Sequence, residues 1–175
     1  MHDNARTANL LGATALALTD VALGGATRAV DVSMSGAAAL VSLSAHPDVS
    51  VTELGRRVGL SQSAAARMVD ALEADGLVER RPSPLMRRIT TVHPTRAGRQ
   101  AARRILASRG SPLSDVVDAL DENEQRLLAD VLTKVLTRLY DKVGNAQYMC
   151  RLCDRGSCTT ESTCPVGQAE LERQG

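Results

Sequence analysis

Four cysteines, Cys150, Cys153, Cys158 and Cys164, stand near the end of this 175-residue chain, and none precedes them. Cysteines confined to one end cannot cross-link the rest of the fold, so residues 1–149 must be held by an apolar core, for which the chain is long enough. Their spacing is C-x2-C-x4-C-x5-C, with Pro165 directly after the last. Thiols gathered this tightly behind a helix-forming stretch point to a metal or iron–sulfur site rather than to a folding staple.

That core has few aromatics to draw on. Phe and Trp are absent and only Tyr140 and Tyr148 occur, which leaves Leu, Val, Ala and Met, a set that suits small helical domains. The same lack argues against a stacking pocket for a large aromatic ligand or for single-stranded nucleic acid. At the N-terminus His2, Asp3 and Asn4 stand where a secretory leader would be basic. The apolar run Leu10 to Ala26 is interrupted by Thr14, Thr19 and Asp20 and makes a poor membrane span. No membrane association is expected and a cytoplasmic location is, where structural disulfides rarely persist.

A net charge of +1 hides an asymmetry. Residues 53–104 hold eleven arginines against five acids, a balance of +6, while residues 1–52 carry −2 and residues 105–175 carry −3. A basic middle between acidic ends is the footprint of a chain that meets phosphate with one part only.

Apolar periodicity predicts a helix over 5–29, ending near Gly24–Gly25 or a turn later, and a second from Ser35 to Ala45, before the His46–Pro47 step. Ser50-Val-Thr-Glu53 reads as a capping box opening a helix to Val58, and Gly59 suits the turn after it. Ser61 caps the next helix, which ends at Asp75–Gly76. Leu77 to Arg81 and Arg87 to Val92 alternate as strands about a Pro82-Ser83-Pro84 tip, a two-stranded wing. Thr95 caps a helix broken or kinked at Gly110-Ser111-Pro112, with a further helical stretch to Leu120. Asp121 starts the last long helix, whose face of Leu127, Leu128, Val131, Leu132, Val135, Leu136 and Leu139 is wide for a monomer's surface and fits burial in a dimer. After Gly144 a polar, irregular tail is expected. The fold class is thus mainly α: a winged helix-turn-helix over 35–94, flanked by dimerisation helices at 1–34 and 95–144, with the cysteine tail at 145–175.

The run from Val51-Thr-Glu-Leu-Gly-Arg-Arg-Val-Gly-Leu through Ser61-Gln-Ser-Ala-Ala-Ala-Arg-Met-Val-Asp to Leu77-Val-Glu-Arg resembles the MarR family of winged-helix regulators. The resemblance continues through Thr95-Arg96-Ala97-Gly98 and covers about residues 35–140. It implies a homodimeric DNA-binding repressor whose N-terminal and last two helices interleave with those of a partner. Such a dimer reads a pseudo-palindromic operator in double-stranded DNA, with half-sites about one helical turn apart.

Leu54, Val58, Leu60, Ala65, Met68, Val69 and Leu72 are spaced to pack the two helices together, leaving Ser61, Gln62, Ser63, Ala66 and Arg67 outward. A helix opening with short polar residues can enter the major groove. Gln62 and Arg67 are candidates for base edges, Ser61 and Ser63 for phosphate. In the wing the family pattern places an acid shortly before an Arg pair. Here Arg87–Arg88 stand behind Leu85–Met86, so Arg88 is a minor-groove candidate without its usual support, or the hairpin arginines simply contact phosphate.

Three readings of the tail remain open. In one, Cys150, Cys153, Cys158 and Cys164 hold a [2Fe–2S] or [4Fe–4S] cluster, with Arg151 and Arg155 offsetting its charge. The tail looks like that of SoxR-type redox regulators, which begin in C-x2-C and end in C-x5-C but have a shorter middle gap. In the second, the four thiolates hold tetrahedral zinc, and a small organic ligand is the signal. In the third they form a metal-free thiol switch. No catalytic triad, phosphate-binding loop or dinucleotide fingerprint is present, so no enzymatic function is expected. A reading of another class is an iron–sulfur electron carrier or thiol oxidoreductase on a winged-helix scaffold.

Overall fold

The computed structural model describes residues 3–28, 30–83, 89–160 and 162–174. Its elements are helices α1 (Asn4–Arg28), α2 (Met34–Ala45), α3 (Val51–Val58) and α4 (Gln62–Ala74), strands β1 (Val78–Pro82) and β2 (Thr90–Pro94), and helices α5 (Arg96–Asp118), α6 (Glu122–Val143), α7 (Ala146–Met149), α8 (Arg155–Thr159) and α9 (Pro165–Gln174).

α2 is the hub, and every residue from Gly36 to Leu43 is buried. The small side chains of Ala37, Ala38 and Ala39 let α1, α3 and α5 approach it, while Leu40 and Leu43 fill the core with Leu54, Val69, Leu72, Val78, Val92 and Ile105. No aromatic residue contributes to this core. Each fully buried Leu or Ile contributes about 1.5–3 kcal/mol. Ser33, Ser50, Ser61, Thr95 and Asp121 each cap a helix by accepting a backbone N–H with the side-chain oxygen.

β1 and β2 pair antiparallel from Val78↔Pro94 to Pro82↔Thr90, and Val49 bridges to Val92. β1 sits one residue further along than expected, because Pro82 lies at a sheet edge where its missing N–H costs no ladder bond, and β2 starts three residues and ends two residues later than expected. His93 belongs to β2. Arg87 and Arg88 lie outside the described residues.

Three expectations are corrected. α5 runs unbroken through Gly110, Ser111 and Pro112, because a proline removes one helical hydrogen bond but not the packing of the turns around it. The capping box at Ser50 is half formed: Ser50 accepts from the Glu53 N–H, but the Glu53 carboxylate turns to Arg56 and Arg57, at 2.8 and 2.7 Å. Asp121 and Glu124 instead make a complete box at α6. Finally, the tail is ordered rather than irregular. Leu152 enters the main core, and Val166 and Ala169 of α9 join Tyr140 and Ala146 in a second small core that Cys150 and Cys164 pack against.

α1 is long and apolar enough to cross a membrane by length and composition alone, contrary to the expectation from its polar interruptions. In the structure Ala22 and Ala26, near its C-terminus, are buried and the helix packs on α5.

Candidate nucleic-acid interface and four-cysteine site

The turn between α3 and α4 is made by Gly59, which caps α3 in the left-handed region (φ 76°). Leu54, Val58, Ala65, Met68, Val69 and Leu72 are buried between the helices and Leu60 is half-buried. Ser61, Gln62, Ser63 and Arg67 are exposed together on α4. Ala66 is half-buried, less available than its position suggested. Ser61 is already engaged as the cap, accepting from the Ala64 N–H at 3.4 Å.

Arg80 of β1, expected to be a solvated basic residue, binds α4 from the side. Its guanidinium donates to Asp70 at 2.6 Å and to Glu73, and its backbone N–H donates to Glu73 at 3.0 Å. The wing and α4 are thereby fixed to each other. Nothing in the residues 70–81 taken one by one marked this pairing, since it joins positions in two elements across a turn.

The tail brings Cys150 and Cys153, which flank a turn after α7, together with Cys158 on α8 and Cys164 before α9. All four are free thiols, and all four line one cavity of about 120 Å³ closed by Gln147, Arg155 and Glu170. They also line a larger cavity of about 430 Å³, walled by Leu18, Leu23, Leu113 and Leu136. A hydrogen bond from Cys150 holds the Cys153 thiol down at about 6, against burial and with help from Arg109, Cys158 and Arg155. Cys150 is correspondingly pushed up, by that same hydrogen bond and then by burial. Burial, with Cys153 and Cys164 nearby, pushes Cys158 up to about 11. Cys153 is thus the thiol the site stabilises as a thiolate, with Arg109 and Arg155 beside it.

Of the two arginines expected to offset charge here, Arg155 does so. Arg151 stacks 4.1 Å from the centroid of the Tyr148 ring and donates to its carbonyl at 2.8 Å. Arg109, from the middle of α5, acts on the sulfurs instead. Its role could not be seen in the sequence, 41 positions before the first cysteine.

Four cysteine donors with nearby cations fit a thiolate-bound group. Among the described residues no three His, Cys, Asp or Glu side chains gather closely enough for one metal ion, as a zinc with sulfurs about 2.3 Å away would require.

The tail also touches the helix-turn-helix. Tyr148 lies against Gly59, where a methyl group would meet its ring at 2.5 Å. Asn145 donates to the Arg56 carbonyl at 3.4 Å, and Arg155 donates to His46 Nε2 at 2.8 Å. Burial, then Arg155 and Arg57, lowers the His46 pKa and keeps that nitrogen an acceptor.

Residues 32–90 match the MarR family model. They form a winged helix-turn-helix similar to that family's. The chain is 31% identical over 97 residues to the HTH-type transcriptional regulator YdgJ of Bacillus subtilis, 55% of this chain and 59% of that one. It is 32% identical over 103 residues to the transcriptional repressor MprA of Escherichia coli, 58% of each. The chain thus spans less than two thirds of the length of these relatives. Among solved structures, Streptococcus pneumoniae FabT in complex with DNA overlays with a TM-score of 0.65 at 23% identity, over 79% of this chain and 99% of that one. The overlay shows a shared fold. The family match ends at residue 90, so it says nothing of the cysteines.

Proposed function

We propose that this protein is a homodimeric, cytoplasmic MarR-type transcriptional regulator, a repressor. It binds a pseudo-palindromic operator through α4 and the wing, and senses redox state or iron through an iron–sulfur cluster held by Cys150, Cys153, Cys158 and Cys164. DNA binding is supported by the exposed Ser61, Gln62, Ser63 and Arg67 on a capped recognition helix, within the basic segment 53–104. Repression is taken from the likeness to MprA. Dimerisation is supported by Leu127, Val131, Leu132, Leu136, Leu139 and Val143 on α6, which are 37–65% exposed in the single chain.

One observation carries the sensing role: the four cysteines of the chain line one cavity beside Arg109 and Arg155. A cluster bound there would supply a one-electron redox group and a cross-link among the four thiolates. The residues around it hold charge, exclude water and keep the tail seated. The five-residue gap between Cys158 and Cys164 and the Cys164–Pro165 step favour a cluster over a zinc knuckle. A metal-free thiol switch is the second reading, favoured by the Cys150–Cys153 pair with its stabilised thiolate. An electron carrier or thiol oxidoreductase would not require the DNA-reading surface.

Anaerobic purification with a visible spectrum and assays for iron, sulfide and zinc tests this reading. Brown protein with stoichiometric iron and sulfide supports the cluster. Colourless protein with one zinc per chain, or with no metal, overturns it. Operator binding with a steep salt slope supports the regulator over the carrier.

A further inference from the structure

α7 is one turn long. A helix of four residues has no stability of its own, because nucleation is unfavourable and too few bonds follow it. Its position therefore depends on what holds it: Ala146 in the small core with Tyr140, Val166 and Ala169, and the partners at its two ends. At its start, the Asn145 side chain caps it by accepting from the Tyr148 N–H at 3.0 Å and donates to the Arg56 carbonyl of α3 at 3.4 Å. At its end the chain passes straight into Cys150, and the Cys153 N–H closes a turn onto the Cys150 carbonyl at 3.0 Å.

Between those ends stands Tyr148. One edge of its ring fills the space that Gly59 leaves by having no side chain, and its face carries the Arg151 guanidinium. Gly59 is the turn of the helix-turn-helix, and Ser61, the cap of α4, is only two residues further on. Glu170 of α9 adds an electrostatic contact to Arg56 of α3.

We propose that Tyr148 is the positioning residue through which the four-cysteine site acts on DNA binding. With Cys150 and Cys153 fixed by a shared bound group, α7 is held and the Tyr148 ring props the α3–α4 turn. With the cysteines released, α7 keeps Asn145 and Ala146 as anchors but loses the one at its end, the ring leaves Gly59, and the start of the recognition helix shifts. This inference rests on the sensing role proposed above and names its route to the reader.

The test compares operator affinity of the full-length protein in two states, as isolated without oxygen and after metal removal by a chelator. The probe is a duplex selected from a randomised library by the wild-type protein. The wild type is expected to change affinity between the states by about 5–150-fold, the usual range for such coupling. Tyr148→Ala is expected to keep its metal and sulfide content while that change shrinks to about twofold or less. Tyr148→Phe, which retains the ring, keeps the wild-type ratio. A Tyr148→Ala protein with the full ratio overturns the proposal, as does a wild type with no change at all.

Should Tyr148→Ala fail to fold, amide hydrogen exchange of the wild type in both states decides. Faster exchange across residues 55–63 on metal removal supports the route, and unchanged exchange there overturns it. Wild-type protein that carries neither iron nor zinc overturns the sensing role instead. The same ratio is then taken between the reduced and the thiol-oxidised chain, where dependence on Tyr148 supports the route and independence overturns it.

Discussion

Gly25 of α1 lies against the backbone carbonyl of Ser108 on α5, so closely that a methyl group at position 25 would stand 2.6 Å from that oxygen. Pro112, four residues beyond Ser108 in the same helix, has no N–H to give to this carbonyl. The proline inside α5 thus leaves an acceptor facing α1 at Gly25.

Gly25→Ala is expected to push α1 off α5 and to destabilise the protein by about 1–3 kcal/mol, the usual cost of overpacking against backbone. Gly12→Ala, with nothing near position 12, serves as the control and should be neutral or slightly stabilising, since it removes a glycine from a helix. Urea unfolding midpoints of the two variants measure the difference.

The ion pairs of Glu53 predict a pH dependence. Arg56 first, and Arg57 with it against opposing burial, hold its carboxyl at about 2, below its ordinary 4.5. A depressed carboxylate stabilises the fold fully above 4.5, and that contribution fades as pH falls towards 2. Glu53→Gln should therefore lower stability at neutral pH by about 0.5–1 kcal/mol, the range of partly exposed pairs. The gap between variant and wild type should close in acid. A gap that stays constant across thermal melts from neutral to acid pH would contradict this.

Leu16 is 71% exposed and Val131 is 54% exposed. If a second copy covers α1 and α6, Leu16→Lys with Val131→Lys buries two charges in an apolar interface and drives dissociation. Sedimentation equilibrium should then give the mass of one chain for the variant and two for the wild type. An equal mass for both would argue against this face as the interface.

On α4 the two kinds of contact separate by sequence dependence. Arg67→Ala should cost about 1–3 kcal/mol of operator binding and relax discrimination at one base position, while leaving the unfolding midpoint unchanged. Ser61→Ala loses a helix cap as well, about 0.5–2 kcal/mol of stability, so it should lower both the midpoint and DNA affinity. Anisotropy titrations against matched and mismatched duplexes, paired with melts, read both quantities.

Most of the reading module was legible because its signals are local. A serine before each helix, Gly59 at the turn, the Asp75–Gly76 stop and the spacing from Leu54 to Leu72 each act within a few residues. The wing strands were found but misplaced by one to three residues, since pairing register depends on a partner strand and on Val49, remote in sequence. Position along the chain showed that Cys150, Cys153, Cys158 and Cys164 belong together. It could not show α7, α8 and α9, whose few turns have weak propensity and form because Leu152, Val166 and Ala169 find apolar partners.

The sequence by itself determined the helix-turn-helix, its exposed polar face, the basic middle segment and the cysteine set, because local caps, periodicity and composition act over short ranges. Only the tertiary structure decided where the tail rests, with Tyr148 on Gly59, Arg155 on His46 and Arg109 beside the thiols. Those contacts join residues far apart in the chain, and they come into being only once the apolar cores have fixed the helices in place.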